Sequence, residues 1–228
     1  MKRADIIRKA LRDTLPVLAG YVVLGIGFGM LLKARGYGWL FSLYMSVGIY
    51  AGSMQFLLID MLTESVSLVS AALTAFLVNC RHLFYSISMV DRYKNTGRAK
   101  PYLIYALTDE TYSLVSTEDS LPPGQRKTYY LAVSVIDQLY WVGGCVLGSL
   151  LGSALKFNTE GIDFALTALF VCIFTEQWLS GKEHISAALG LGLSLLCLLI
   201  FGSESFLIPS MAAIVIAMAL VRGREAKA

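Results

Sequence analysis

The sequence predicts an all-α, polytopic integral membrane protein. Three observations carry that reading: apolar runs long enough to cross a bilayer, very little charge, and the collection of that charge between the runs. Of 228 residues, 56% are hydrophobic and 15% charged, with a mean hydropathy of +0.64. A soluble domain carries about 25% charged residues, so this chain cannot clothe a water-facing surface of its size. The formal net charge of +3 comes from lysines and arginines that, apart from Arg81, fall between apolar runs and at the termini. That placement speaks to topology. No basic patch is interleaved with aromatics, so nucleic acid is not a partner.

Eight apolar segments follow in order: Leu15–Leu32, Trp39–Leu62, Val66–Val90, Tyr102–Ser116, Tyr129–Ser153, Ile162–Leu179, Ile185–Phe201 and Phe206–Val221. A crossing helix needs about 20 apolar residues, so most of these suffice and the fourth is short. Residues Met1 to Asp13 are basic and read as a cytoplasmic lead into the first span. The fourth segment is half polar, and the carboxylates of Asp109 and Glu110 cannot lie against hydrocarbon. Cys80, Cys145, Cys172 and Cys197 are isolated within apolar segments and read as small core residues rather than a disulfide or metal framework.

Two topologies compete. With eight full spans and the N-terminus inside, eleven basic residues lie inside and seven outside. With six full spans, the second and sixth segments being re-entrant, the counts become fourteen and four. The positive-inside rule favours six. Short matches support an internal repeat: Gly25 to Leu32 against Gly144 to Leu151, Ser53-Met-Gln-Phe56 against Thr175-Glu-Gln-Trp178, and Ser70-Ala-Ala-Leu73 against Ser186-Ala-Ala-Leu189. The units run from 17 to 90 and from 139 to 209, inside a single membrane domain. Under six spans they start on opposite sides, the inverted repeat of many secondary transporters; under eight they are parallel. Gly25-xxx-Gly29, Gly144-xxx-Gly148 and Gly148-xxx-Gly152 have the spacing that lets helix backbones approach, within one chain or between subunits.

The polar residues are few enough to name. Asn79, Arg81, His82 and Ser86 interrupt the third segment, with Asn79, His82 and Ser86 on one helix face. An arginine at mid-membrane costs roughly 2.5–3.5 kcal/mol on insertion scales, so Arg81 needs an anionic partner or water. Near the end of its span it would instead snorkel to the headgroups. In the fourth segment, helical spacing aligns Tyr105, Asp109, Tyr112 and Ser113; in the fifth, Ser134, Asp137, Tyr140 and Trp141. Glu176 and Gln177 precede Trp178 in the sixth. Ser53 and Gln55 complete the set. An arginine with carboxylates in an apolar bundle suits a zwitterionic solute and a proton pathway. Zinc, Walker, nucleophile-elbow and dinucleotide signatures are absent, so neither an enzyme nor a cofactor is implied.

Four blocks, Tyr50-Ala-Gly-Ser-Met-Gln-Phe56, Asn79-Cys-Arg-His-Leu-Phe-Tyr-Ser86, Leu107-Thr-Asp-Glu-Thr-Tyr112 and Glu176-Gln-Trp178, give the chain a resemblance to the AzlC/YgaZ family of branched-chain amino acid exporters. It extends from about Leu15 to Val221 and is most specific at Arg-His-Leu and Thr-Asp-Glu; the first block departs from the family's Gly-Ala-Ser-Gln-Phe. The resemblance implies proton-driven export of small neutral amino acids across the inner membrane, with a small AzlD/YgaH-like membrane subunit as partner.

The residues themselves predict a narrower site: Arg81 holds the solute carboxylate, Ser53, Gln55, Asn79 and His82 line the binding site, and Asp109, Glu110, Asp137 or Glu176 meets the amine or exchanges the proton. The alternatives from other classes are a non-transporting membrane scaffold and, last, an intramembrane enzyme built on Ser53 or His82.

Overall fold

A computed structural model describes residues 2–63, 66–154, 184–202 and 206–225, together with 171, 174, 175, 178 and 179. Their regular structure is helical, with no strand among the described residues. The helices are α1 (Arg3–Asp13), α2 (Leu15–Ala34), α3 (Trp39–Gly48), α4 (Gly52–Thr63), α5 (Leu68–Asn79), α6 (Arg81–Ser88), α7 (Lys100–Tyr105), α8 (Asp109–Ser116), α9 (Pro123–Ala154), α10 (Ile185–Phe201) and α11 (Leu207–Glu225). Packing divides the chain into two units, Met1–Ser67 with Val78–Ala165 and Leu68–Leu77 with Leu166–Ala228. In the second unit α10 packs on α11, with Cys197 and Ser210 buried. Most of the sixth segment, Glu176 and Gln177 included, and the Arg81 side chain lie outside the described residues.

The first unit is built on α2 and α9, the two helices among the described residues that are long and apolar enough to cross a membrane. A Cβ on Gly29 would stand 2.1 Å from the Cys145 carbonyl oxygen, and one on Gly148 the same distance from the Ile26 carbonyl oxygen. Only hydrogen fits at this crossing, so the glycine pairs seat the backbones directly against each other within one chain. On the faces away from the crossing, Val23, Leu139 and Leu147 are exposed, as lipid-facing residues must be.

Register fixes direction. Tyr129 donates to Asp13 at 2.7 Å, Gly25 meets Gly144 and Cys145, and Gly152 meets Lys33. Both helices therefore ascend together from the Asp13 end to the Arg35 end. The first helices of the units 17–90 and 139–209 are parallel, so the inversion expected between those units fails at this pair.

The cause is the fourth segment, which turns back instead of crossing. Arg92 pairs with Asp119 at 3.1 Å and Lys9 with Glu118 at 2.6 Å, so the chain before α7 and after α8 lies at the Asp13 end. Ile6, Ala10, Met89, Tyr93, Leu121 and Tyr129 bury together there. The six residues of α7 and eight of α8 rise only about 9 and 12 Å at 1.5 Å per residue, far short of a bilayer. Because the segment breaks at 106–108, Tyr105 and Asp109 sit on different helices, and the single face expected for Tyr105, Asp109, Tyr112 and Ser113 does not form.

The second segment is the counterpart from the opposite end. Here α3 starts beside the end of α2, and α4 returns to Arg35, which lies 3.6 Å from Asp60 and 3.5 Å from Thr63. Thr63 thus stands at the Arg35 end and Met89 at the Asp13 end, and the helical run before Met89 is interrupted at Cys80. Asn79 and Ser86 consequently belong to different helices rather than one continuous face. Among the described side chains of this unit, the Asp13 end gathers eleven lysines and arginines, from residues 2–12, 92–100 and 126–127, against Lys33 and Arg35 at the other.

Candidate functional site

All three interruptions meet at one place. Ile49, Tyr50 and Ala51 from the first, Asn79 and His82 from the second, and Ile104, Tyr105 and Leu107 from the third line a cavity of about 220 Å³.

Local chemistry explains each break. Thr108 caps α8, its hydroxyl accepting from the Thr111 amide at 3.3 Å, and Asp109 and Glu110 fill the first turn, where the helix dipole favours anions. Tyr50 adopts φ 45°, the only positive value at a non-glycine among the described residues. A bulky residue there costs on the order of 1–3 kcal/mol and is kept where the surroundings or a function demand it. Each break ends one helix and starts another, so the N-termini of α4, α6 and α8 converge on the cavity. Converging positive dipole ends suit an anionic group such as a carboxylate.

The ionisable residues divide into two groups. His82 lines the cavity, and its Nε2 lies 3.9 Å from Asp109 Oδ1. Behind Tyr50 lies the second group. Tyr21 donates to Glu110 Oε2 at 2.6 Å and shares a hydrogen bond of 2.6 Å with Thr108. Thr108 and Thr111 hydroxyls are 3.1 Å apart, and Thr111 donates to Asp137 Oδ2 at 2.7 Å. Asp137 is fully buried, and its Oδ1 has no hydrogen-bond partner among the described residues. Both carboxyl groups are close enough to act electrostatically on Tyr50. Trp141 packs edge-on to Tyr21 at 5.5 Å and donates to Gln55 Oε1 at 2.8 Å.

Of the residues singled out in the sequence, Asn79 and His82 line the cavity itself. Ser53 and Gln55 are buried one turn into α4, Gln55 serving as the Trp141 acceptor. Arg81 begins α6 between the two lining residues. Asp109 stands beside His82, while Glu110 and Asp137 belong to the hydroxyl-linked group. Sequence reasoning missed Tyr21, Tyr50, Thr108 and Thr111. The pattern Thr108-Asp-Glu-Thr111, a cap followed by acids, is the signal that exposes two of them. Among the described residues no His, Cys, Asp and Glu cluster could hold a metal ion.

A family model described as AzlC protein matches residues 16–155. The branched-chain amino acid transport protein AzlC of Bacillus subtilis is 41% identical over 225 residues, 97% of this chain and 88% of its own. A membrane protein of Haemophilus influenzae is 42% identical over 87% of this chain and 82% of its own. The inner membrane protein YgaZ of Escherichia coli is 29% identical over 76% and 72%. No solved structure matches the chain.

Proposed function

The chain belongs to the AzlC family, and from that membership we propose that it is a secondary transporter that exports branched-chain or similar small neutral amino acids, driven by protons. It works as the large subunit of a two-component permease with a small AzlD/YgaH-like membrane subunit. The observation that carries this reading is the cavity where hairpins from opposite ends of the first unit meet a third broken segment. Broken helices around a site at mid-depth are the construction secondary transporters use to expose a solute to one side at a time.

The substrate carboxylate is held at the converging helix N-termini by Arg81 and Asn79. Arginine suits this role because its planar fork matches a carboxylate. The amine meets Asp109 beside His82, and the aliphatic side chain lies against Ile49, Ile104 and Leu107. Glu110 and Asp137 exchange the coupling proton. The bias of basic residues supports a cytoplasmic Asp13 end, and with it a cytoplasmic N-terminus, in the inner membrane.

Efflux of labelled isoleucine from cells carrying the chain with its small subunit tests the proposal. Substrate-dependent efflux that is lost in Arg81→Ala and Asp109→Asn supports it. Absence of efflux with the partner present favours a scaffold, and unchanged rates in both variants remove the site.

A further inference from the structure

The hydroxyl-linked group behind the cavity is one uninterrupted chain. It runs from Glu110 through Tyr21, Thr108 and Thr111 to Asp137, with successive separations of 2.6, 2.6, 3.1 and 2.7 Å. All four lie within hydrogen-bonding range.

Counting protons is decisive. Four links need four hydrogens, and three hydroxyls supply three. Two ionised carboxylates would leave the Thr108 hydroxyl with one proton to serve both neighbours, and one contact between oxygen lone pairs. A single added proton on either carboxyl completes the chain. Held by Asp137, it directs every hydroxyl toward Glu110; held by Glu110, every hydroxyl turns toward Asp137. Thr108 is saturated in both states, since it also accepts from the Thr111 amide at 3.3 Å.

We propose that Glu110 and Asp137 share one proton through the hydroxyls of Tyr21, Thr108 and Thr111, and that this relay carries the coupling proton. The proposal rests on the transport reading above. Transfer is a shift of each hydroxyl proton by one link. The O–H bond at the donor carboxyl breaks, one forms at the acceptor carboxyl, and no charge crosses any other group. Rotation of the three hydroxyls resets the chain. The buried Oδ1 of Asp137 has no donor among the described residues, which suits a neutral carboxyl in one state of the relay; Asp137 Oδ2 then donates to Thr111, and in the other state it accepts from Thr111. Among the described residues, Tyr50 lies within electrostatic reach of both carboxyls and Tyr102 within reach of Asp137, and Asp109, next to Glu110 in the chain, pairs with His82. Tyr50 feels both carboxyls and lines the cavity, which gives the solute a route to bias where the proton lies.

The test uses the chain reconstituted with its small subunit in vesicles. Two readouts are taken: isoleucine flux driven by a pH gradient compared with isoleucine counterflow, and infrared titration of the carboxyl bands. Two carboxyls sharing a proton titrate as a coupled pair, in two separated steps. Tyr21→Phe and Thr111→Val are expected to reduce gradient-driven flux at least about tenfold more than counterflow, in line with the worth of a positioned proton donor. They should also merge the two infrared steps, while Thr111→Ser restores both behaviours. Two steps in the wild type with no isoleucine flux would overturn the transport reading alone. Coupled flux with titration unchanged by Tyr21→Phe would overturn the relay alone.

Discussion

The Tyr105 hydroxyl donates to the Val47 carbonyl oxygen, tying the last residue of α7 to the closing turn of α3. These helices enter the first unit from opposite ends, so the bond joins the tips of two hairpins. Tyr50 and Tyr105 extend the junction, with ring centroids 6.0 Å apart. Val47 is among the last carbonyls of its helix, which lack intrahelical donors, and the tyrosine satisfies one that hydrocarbon would leave bare. The same two tips wall the cavity, so holding the hairpins together and shaping the site are one task.

Sidedness follows from this arrangement. Single cysteines at Arg3, Lys94 and Ser120 are expected to label from one side of the membrane, and one at Gly36 from the other. An impermeant maleimide on sealed vesicles reads this. Labelling of Lys94→Cys from the Gly36 side would restore eight crossings and remove the α7–α8 hairpin.

The crossing of α2 and α9 makes a sharp comparison among glycines. Gly29→Ala and Gly148→Ala put a methyl 2.1 Å from a backbone oxygen, whereas Gly27 and Gly143 have nothing within 4 Å. Overpacking of this kind costs typically about 1–3 kcal/mol. Thermal unfolding in detergent should show a lower midpoint for the first pair only.

Charge at the Asp13 end sets a pH window. Burial acts to raise the Glu118 carboxyl, but hydrogen bonds from Lys9 and Ser120 outweigh it and hold it below its ordinary 4.5. Burial likewise acts to lower Lys9, yet its bonds to Asp13 and Glu118 raise it above 10.5. A depressed carboxyl stabilises the fold above its unfolded value and loses that as pH falls through the folded one; a raised amine stabilises below its unfolded value and loses that as pH rises. The pair is therefore fully effective between about 4.5 and 10.5. Glu118→Gln should lower the unfolding midpoint at pH 7, by about 2–4 °C for each kcal/mol lost. The difference from wild type should shrink below pH 4. An equal difference at both pH values would rule out the ion pair as its source.

Much of this was legible in the sequence, and the limits have physical reasons. Apolar runs identify α2 and α9 because lipid demands length and hydrophobicity together. The glycine pairs announce a close helix contact, and only their register reveals that the two helices are parallel. Asn79 and His82 stand out as polar residues that hydrocarbon does not tolerate without a purpose. Tyr50 could not be recognised, since a positive φ at tyrosine is imposed by surrounding structure. Thr108 and Thr111 looked like half-polar filler until the cap at Thr108 turned the segment back, which also separated Tyr105 from Asp109. Tyr21 reads as an ordinary membrane tyrosine; its part depends on Glu110, 89 positions away.

Substrate protection tests the central claim, that a small amino acid binds between the opposed hairpin tips. Ala51→Cys, in a chain whose native cysteines are replaced, is reacted with a small alkylating reagent in vesicles that also contain the small subunit. Isoleucine is expected to slow the reaction in a saturable way, with no such effect at Gly36→Cys. Alkylation of Ala51→Cys at the same rate with and without saturating isoleucine, in vesicles that still transport it, would place the binding site elsewhere.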